Sequence, residues 1–156
     1  VSWSIYGVVL HTMTAKDLAS FPAYRNAAPP RMPAPRALPT VADVLAAFRA
    51  AGTHGAWWFR VNGVASPDSR GPYDERYLGE VSLQDPSGLL DQVDETAPVS
   101  VLSFRKGSGL AIREALHELS RVAGEILVFV DTGPEVLVVS PDTDAATLAA
   151  RWPFGA

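Results

Sequence analysis

The block at 99–140 constrains this chain more than any other: Val99-Ser-Val-Leu-Ser-Phe104, a helix-patterned stretch from Arg105 to Gly124, then Ile126–Val130 and Val136–Val139. Ile112, Ala115, Leu116, Leu119, Val122 and Ala123 recur at helical spacing, which makes one stripe of the helix apolar. Arg113, Glu114, His117, Glu118 and Arg121 fall largely on the other side. Gly124 tolerates the left-handed conformation that ends a helix. The two apolar runs after it are short and rich in β-branched residues, as suits strands covered on both faces. Asp131-Thr-Gly-Pro134 between them has turn composition. The block predicts strand, helix and a central two-strand hairpin, with the helix on one face.

Upstream, Ser2–Leu10 alternates well enough for a strand, with Trp3, Ile5, Gly7 and Val9 on one face and Tyr6, Val8 and Leu10 on the other. Thr14–Phe21 predicts a helical turn or two. Pro22, Pro29, Pro30, Pro33, Pro35 and Pro39 make 22–39 an extended loop, because proline fixes φ and removes a donor. Its Arg25, Arg31 and Arg36 are free to seek carboxylates. Thr40-Val-Ala-Asp43 resembles a capping box, and Val41, Val44, Leu45 and Phe48 follow at i, i+3, i+4, i+7 up to Gly52. Ala56–Asn62 and Tyr77–Leu83 read as strands, the second facing inward through Tyr77, Gly79, Val81 and Leu83. Residues 62–76 between them form a polar loop. Leu89–Val93 is a candidate helical turn. Asp142 is placed to cap a last helix that Pro153 ends.

At 156 residues this is one α+β domain: a mostly antiparallel sheet of about six strands, two main helices and a short C-terminal helix, most of them on one face. Without cysteine, neither disulfides nor thiolate metal sites enter. The absence of a basic leader or a long apolar run predicts a soluble, cytoplasmic chain that does not engage membranes. Alanine, arginine, proline and glycine abound while lysine stands only at 16 and 106, a bias typical of GC-rich bacterial genes.

Net charge is −4, which argues against a general nucleic-acid binder. The charge is also unevenly placed. Residues 53–98 hold Asp68, Asp74, Glu75, Glu80, Asp85, Asp91, Asp94 and Glu95 against Arg60, Arg70 and Arg76. Such a stretch is either a solvated surface or a docking face on which complementary charge speeds encounter with a basic partner. Trp57-Trp58 sends one ring to each side of a strand. An outward Trp58 beside Arg60 and Asn62 would suit a hot spot or a stacking wall, whereas helices on both faces would bury both rings.

Arg105-Lys-Gly-Ser-Gly109 precedes a helix N-terminus, where free N–H groups and two basic side chains favour an anion. It is neither a P-loop nor a dinucleotide fingerprint, and Ser108 as a plain N-cap fits equally well. His11, His54 and His117 show no metal-ligand spacing; a meeting of His11 and His54 at one sheet end would suit acid–base chemistry. No metal or cofactor is expected.

The elements run β-α-β-β twice. In element order this resembles the paired βαββ small-molecule-binding domains of the GyrI-like type, and the resemblance implies a ligand groove walled by Trp57 or Trp58 with a carboxylate such as Glu80. The first expectation is nevertheless a non-catalytic bacterial immunity-type protein. It would neutralise a basic toxin domain through Asp68, Asp74 and Glu75, with Trp58 and Arg60 beside them. The small-molecule module is the alternative, and a small enzyme acting on an anion at 105–109 is a third.

Overall fold

The computed structural model describes residues 4–25, 27–57, 73–85, 88–89 and 95–155. Its strands are β1 (Ser4–Val9), β2 (His54–Trp57), β3 (Tyr77–Asp85), β4 (Gly88–Leu89), β5 (Val101–Arg105), β6 (Ile126–Val130) and β7 (Val136–Val139). Its helices are α1 (Ala15–Ala19), α2 (Val41–Ala50), α3 (Gly109–Ala123) and α4 (Ala145–Arg151), with short 3-10 turns at Leu10–Thr12 and Pro22–Tyr24. Six strands run in the order β2-β3-β5-β1-β6-β7, and β4 adds a short pairing to β3. Among the described residues all strand pairings are antiparallel except β2 with β3. This is the expected α+β architecture.

The helices form where caps and apolar stripes coincide. Thr40 and Asp43 make a reciprocal capping box on α2, with Asp43 N–H to Thr40 Oγ1 at 3.2 Å and Thr40 N–H to Asp43 Oδ2 at 2.9 Å. Thr14 and Asp17 repeat the device on α1. Ser108 caps α3 by accepting from Ala111 N–H, and Gly124 ends that helix at φ +78°. The cap of α4 is Asp144 rather than Asp142; its carboxylate takes Thr147 N–H at 2.8 Å and Thr147 Oγ1 at 3.0 Å. Asp142 instead donates its N–H to Ser140 Oγ, within the preceding turn.

The main core lies between the sheet and the helices. Val44, Leu45 and Phe48 of α2 and Ile112, Leu116 and Leu119 of α3 pack over Ile5, Val81, Leu102, Phe104 and Val128. Complete burial of an aliphatic side chain contributes about 1.5–3 kcal/mol, so the α3 stripe alone is a large share of the stability. A smaller cluster occupies the other face, where Leu10 and Leu18 cover Leu127 and Phe21 stacks edge-on against Phe129. The β6 run is therefore covered on both faces, as its composition implies.

Several expectations change. The 126–139 hairpin is peripheral, with β7 at the sheet edge; β1 and β5 hold the centre. Leu89 belongs to β4 rather than to a helical turn, and 90–93 lie outside the described residues. The strand expected at 56–62 begins at His54 and is described as far as Trp57. In β3, Leu78 is buried together with Tyr77, because Gly79 at φ +81° breaks the alternation between them and Val81. The two halves share element order but not pairing: β2 and β3 run parallel, whereas β6 and β7 form an antiparallel hairpin.

Residues 27–39 of the Pro-rich segment form neither helix nor strand, and the segment is anchored at its end. Leu38 packs on the main core, Thr40 bridges to Pro98, and Val99 N–H donates to Pro39 O at 2.8 Å. The Arg36 guanidinium lies over Gly124, at the carbonyl end of α3, where the helix dipole favours a cation.

Candidate partner-binding surface

The acidic residues Asp74 and Glu75 sit in a tight turn at the start of β3. Asp74 Oδ1 accepts Arg76 N–H at 2.9 Å and lies 3.3 Å from His54 Nε2. Tyr77 N–H donates to Asp74 O at 3.1 Å, and His54 N–H to Arg76 O at 3.0 Å. The turn is thus locked to β2 as well as to β3. Glu75 is exposed, and Tyr73 beside it is 89% exposed. The Tyr73 ring meets Tyr77 edge-on, with centroids 4.8 Å apart. Burial pushes the Tyr77 phenol above its ordinary value, and Tyr73 and Glu80 push it the same way.

Arg76 ties this turn to the helices. Its Nη2 donates to Ala51 O and its Nε to Gly52 O at 3.3 Å, so it closes the carbonyl end of α2. Its Nη1 reaches Glu114 Oε2 of α3 at 2.5 Å. Glu114 in turn lines a groove of about 490 Å³ between the end of α2, the polar face of α3 and the turn at 141–145. Glu118, Asp142 and Asp144 line the same groove, together with His117 and Arg121. Arg121 is 3.7 Å from Glu118 one helical turn away. His117 Nε2 is buried there without a hydrogen-bond partner.

Asp74, Glu75, Glu114, Glu118, Asp142 and Asp144 therefore lie along one connected surface, on which Arg76 pairs with Glu114 and Arg121 with Glu118. Asp142 and Asp144 are exposed; Glu114 and Glu118 are half-buried. Such a surface attracts cations and keeps exposed aromatic area, at Tyr73, beside the charge.

Of the other residues singled out in the sequence, Asp68, Trp58 and Arg60 lie outside the described residues, and the Trp57 side chain does too. The loop Arg105–Gly109 is at the same sheet end as Asp74, on the other side of Tyr77. Its Ser108 N–H donates to Tyr77 O at 2.7 Å, and Arg105 Nε is 3.9 Å from Glu80 Oε2. Lys106 is exposed and has φ +60°. Gly107 is pressed so close to β3 that a Cβ would stand 2.2 Å from Leu78 O. Ser108, the cap of α3, and Gly109, buried at its first turn, complete the loop.

His11 and His54 do not meet. Ser4, at the start of β1, pairs with Arg105, which pairs with Glu80 near Tyr77 and His54; His11 follows the opposite end of β1. His11 lines a separate groove of about 210 Å³ with Arg36, Glu125, Ser140 and Asp142. Among the described residues no group of three or more His, Asp or Glu is arranged to hold a metal ion. No described helix is long and apolar enough to cross a membrane.

No protein-family model, curated protein or solved structure matches the chain. The contributions of Tyr73, Glu114 and the 141–144 turn were not singled out in the sequence. Glu114 and Glu118 read as the solvated face of an amphipathic helix, and nothing local brings the turn after β7 beside them. The one available signal was their i, i+4 spacing, which places both carboxylates on one side of α3.

Proposed function

We propose that the protein is a non-catalytic bacterial binding domain of the immunity type, which neutralises a toxin by covering a basic surface on it. The observation that supports this reading is the connected acidic surface running from Asp74 and Glu75 through Glu114 to Asp142 and Asp144. Opposite charge on a partner accelerates encounter and fixes register, and an exposed aromatic such as Tyr73 supplies contact area beside the charge. Asp68, Trp58 and Arg60 belong to the same proposal, since they lie in the connection that leads into Tyr73.

The test is co-expression with the polypeptide encoded beside this gene. The expected result is rescue of growth, co-purification, and an association rate that falls with salt. D74K/E75K is expected to lower that association rate by about tenfold or more at low ionic strength. An unchanged rate and affinity in that variant would remove the basis of the reading.

A further inference from the structure

The pairing register assigns an orientation to every backbone group of β7. Leu10 N–H donates to Glu125 O and Asp131 N–H to Ser4 O, so the odd residues of β6 bond to β1. The even residues Ile126 and Val128 then bond to β7, where they stand opposite Val139 and Leu137. Val136 and Val138 are left with N–H and C=O turned away from the sheet. β7 is the last strand in the order, and no described residue takes these groups.

The side chains tell the same story. Val136 and Val138 belong to the smaller apolar cluster with Met13, Phe21, Tyr24 and Phe129, all only partly buried. That cluster runs to the sheet edge and stops there. The strand itself carries neither charge nor proline; the devices that limit edge pairing are its four-residue length and the flanking Pro134, Glu135 and Pro141.

We propose that β7 is a self-association surface on which a second copy of this chain pairs antiparallel, β7 to β7, about a two-fold axis at Leu137. In that register Val136 stands opposite Val138 of the second copy, and each such pair exchanges both of its N–H···O bonds. The half-exposed valines become apolar cross-strand pairs, which are favourable neighbours. Glu135 faces Val139 of the second copy and Asp142 faces Thr132, so no carboxylate meets a carboxylate. A strand of identical sequence satisfies these conditions by symmetry, as an isologous interface requires. The acidic surface described above is not part of this interface, and the proposal stands independently of the function proposed for it.

The test uses the full chain in sedimentation from low-micromolar to submillimolar concentration, where the measured mass is expected to double. Val136→Pro deletes an outward N–H and no bond inside the sheet; a proline is tolerated at the first residue of a strand. It is expected to sediment as a monomer throughout, with an unchanged far-UV spectrum. The chain has no cysteine, so Leu137→Cys gives a single thiol on the axis. It faces its own copy in a non-bonded pair about 4.5 Å apart at Cα, within disulfide range. Mild oxidation is expected to give a covalent dimer, whereas Val136→Cys, off the axis, stays uncross-linked. A parent chain that remains monomeric at every concentration overturns the proposal, as does a folded V136P dimer. Should V136P fail to fold, an L137C protein that does not cross-link is sufficient to overturn it.

Discussion

Gly79→Ala is the substitution on which the placement of the candidate surface depends most. Gly79 has φ +81°, and a Cβ there would stand 2.1 Å from Arg105 O and 2.6 Å from Gly107 N. Both contacts are backbone, so relief requires β3 to separate from the 105–107 segment. The left-handed conformation costs an L residue about 1–2 kcal/mol, less about 0.4–1 kcal/mol returned by the stiffer unfolded chain. Separation also strains the bond from Ser108 N–H to Tyr77 O, at 2.7 Å; leaving that buried carbonyl unpaired adds about 1–3 kcal/mol. The expected loss is therefore about 1.5–4 kcal/mol. Gly52→Ala provides the control. Its φ is +69°, but the nearest atom to a new Cβ is Arg76 Nη2 at 3.7 Å, so only the dihedral cost applies, about 0.5–1 kcal/mol net. Urea unfolding followed by fluorescence and circular dichroism measures both, with the slope checked for constancy. Equal losses in the two variants would refute the close approach of β3 to the loop and, with it, the fixed position of the 73–77 turn.

Two further outcomes follow from the same geometry. Arg76→Met removes the ligand of the α2 carbonyl end and of Glu114, and is expected to destabilise by about 1–2 kcal/mol; the pair is partly exposed, so urea curves should lose less than for a buried pair. The carboxyls of Asp17 and Asp144 titrate below their ordinary value of 3.8 because backbone N–H groups of Thr14 and Thr147, then the hydroxyls of the same residues, bond the charged form. Their stabilisation is whole above that ordinary value and is lost as pH falls through the lower folded values, so D17N/D144N should flatten the acid limb of a melting-temperature profile and leave its neutral region parallel to the parent.

The helices were legible because caps and stripes are local. Thr40 and Asp43, or Ser108 and Gly124, signal their ends within a few residues, and the structure places α2 and α3 there. Partnership between strands was not legible. Period-2 alternation says which side chains share a face but not which strand lies alongside, so the parallel β2–β3 pair and the edge position of β7 came only from the fold. Gly79 shows a subtler limit: one left-handed residue shifts the inward set and buries Leu78. For the candidate surface, charge bias pointed to Asp74 and Glu75. Their link through Arg76 to Glu114 spans the chain from β3 to α3 and had no local signature. Asp144 displaced Asp142 as a cap because the turn at 140–143 closes on Ser140 first, with Thr143 N–H to Ser140 O at 3.2 Å.

The central place of β1 has a consequence for how the molecule comes into being. Ser4–Val9 is flanked by β5 and β6, whose residues lie at 101–105 and 126–130. A ribosome exports the first of these long before the others, so the segment destined for the middle of the sheet waits without neighbours while most of the chain is made. Closing such distant contacts slows folding relative to local helix formation. Until then Ile5, Val8 and Val9 present a strand open on both sides, and the nascent chain is most vulnerable to misassociation during that interval.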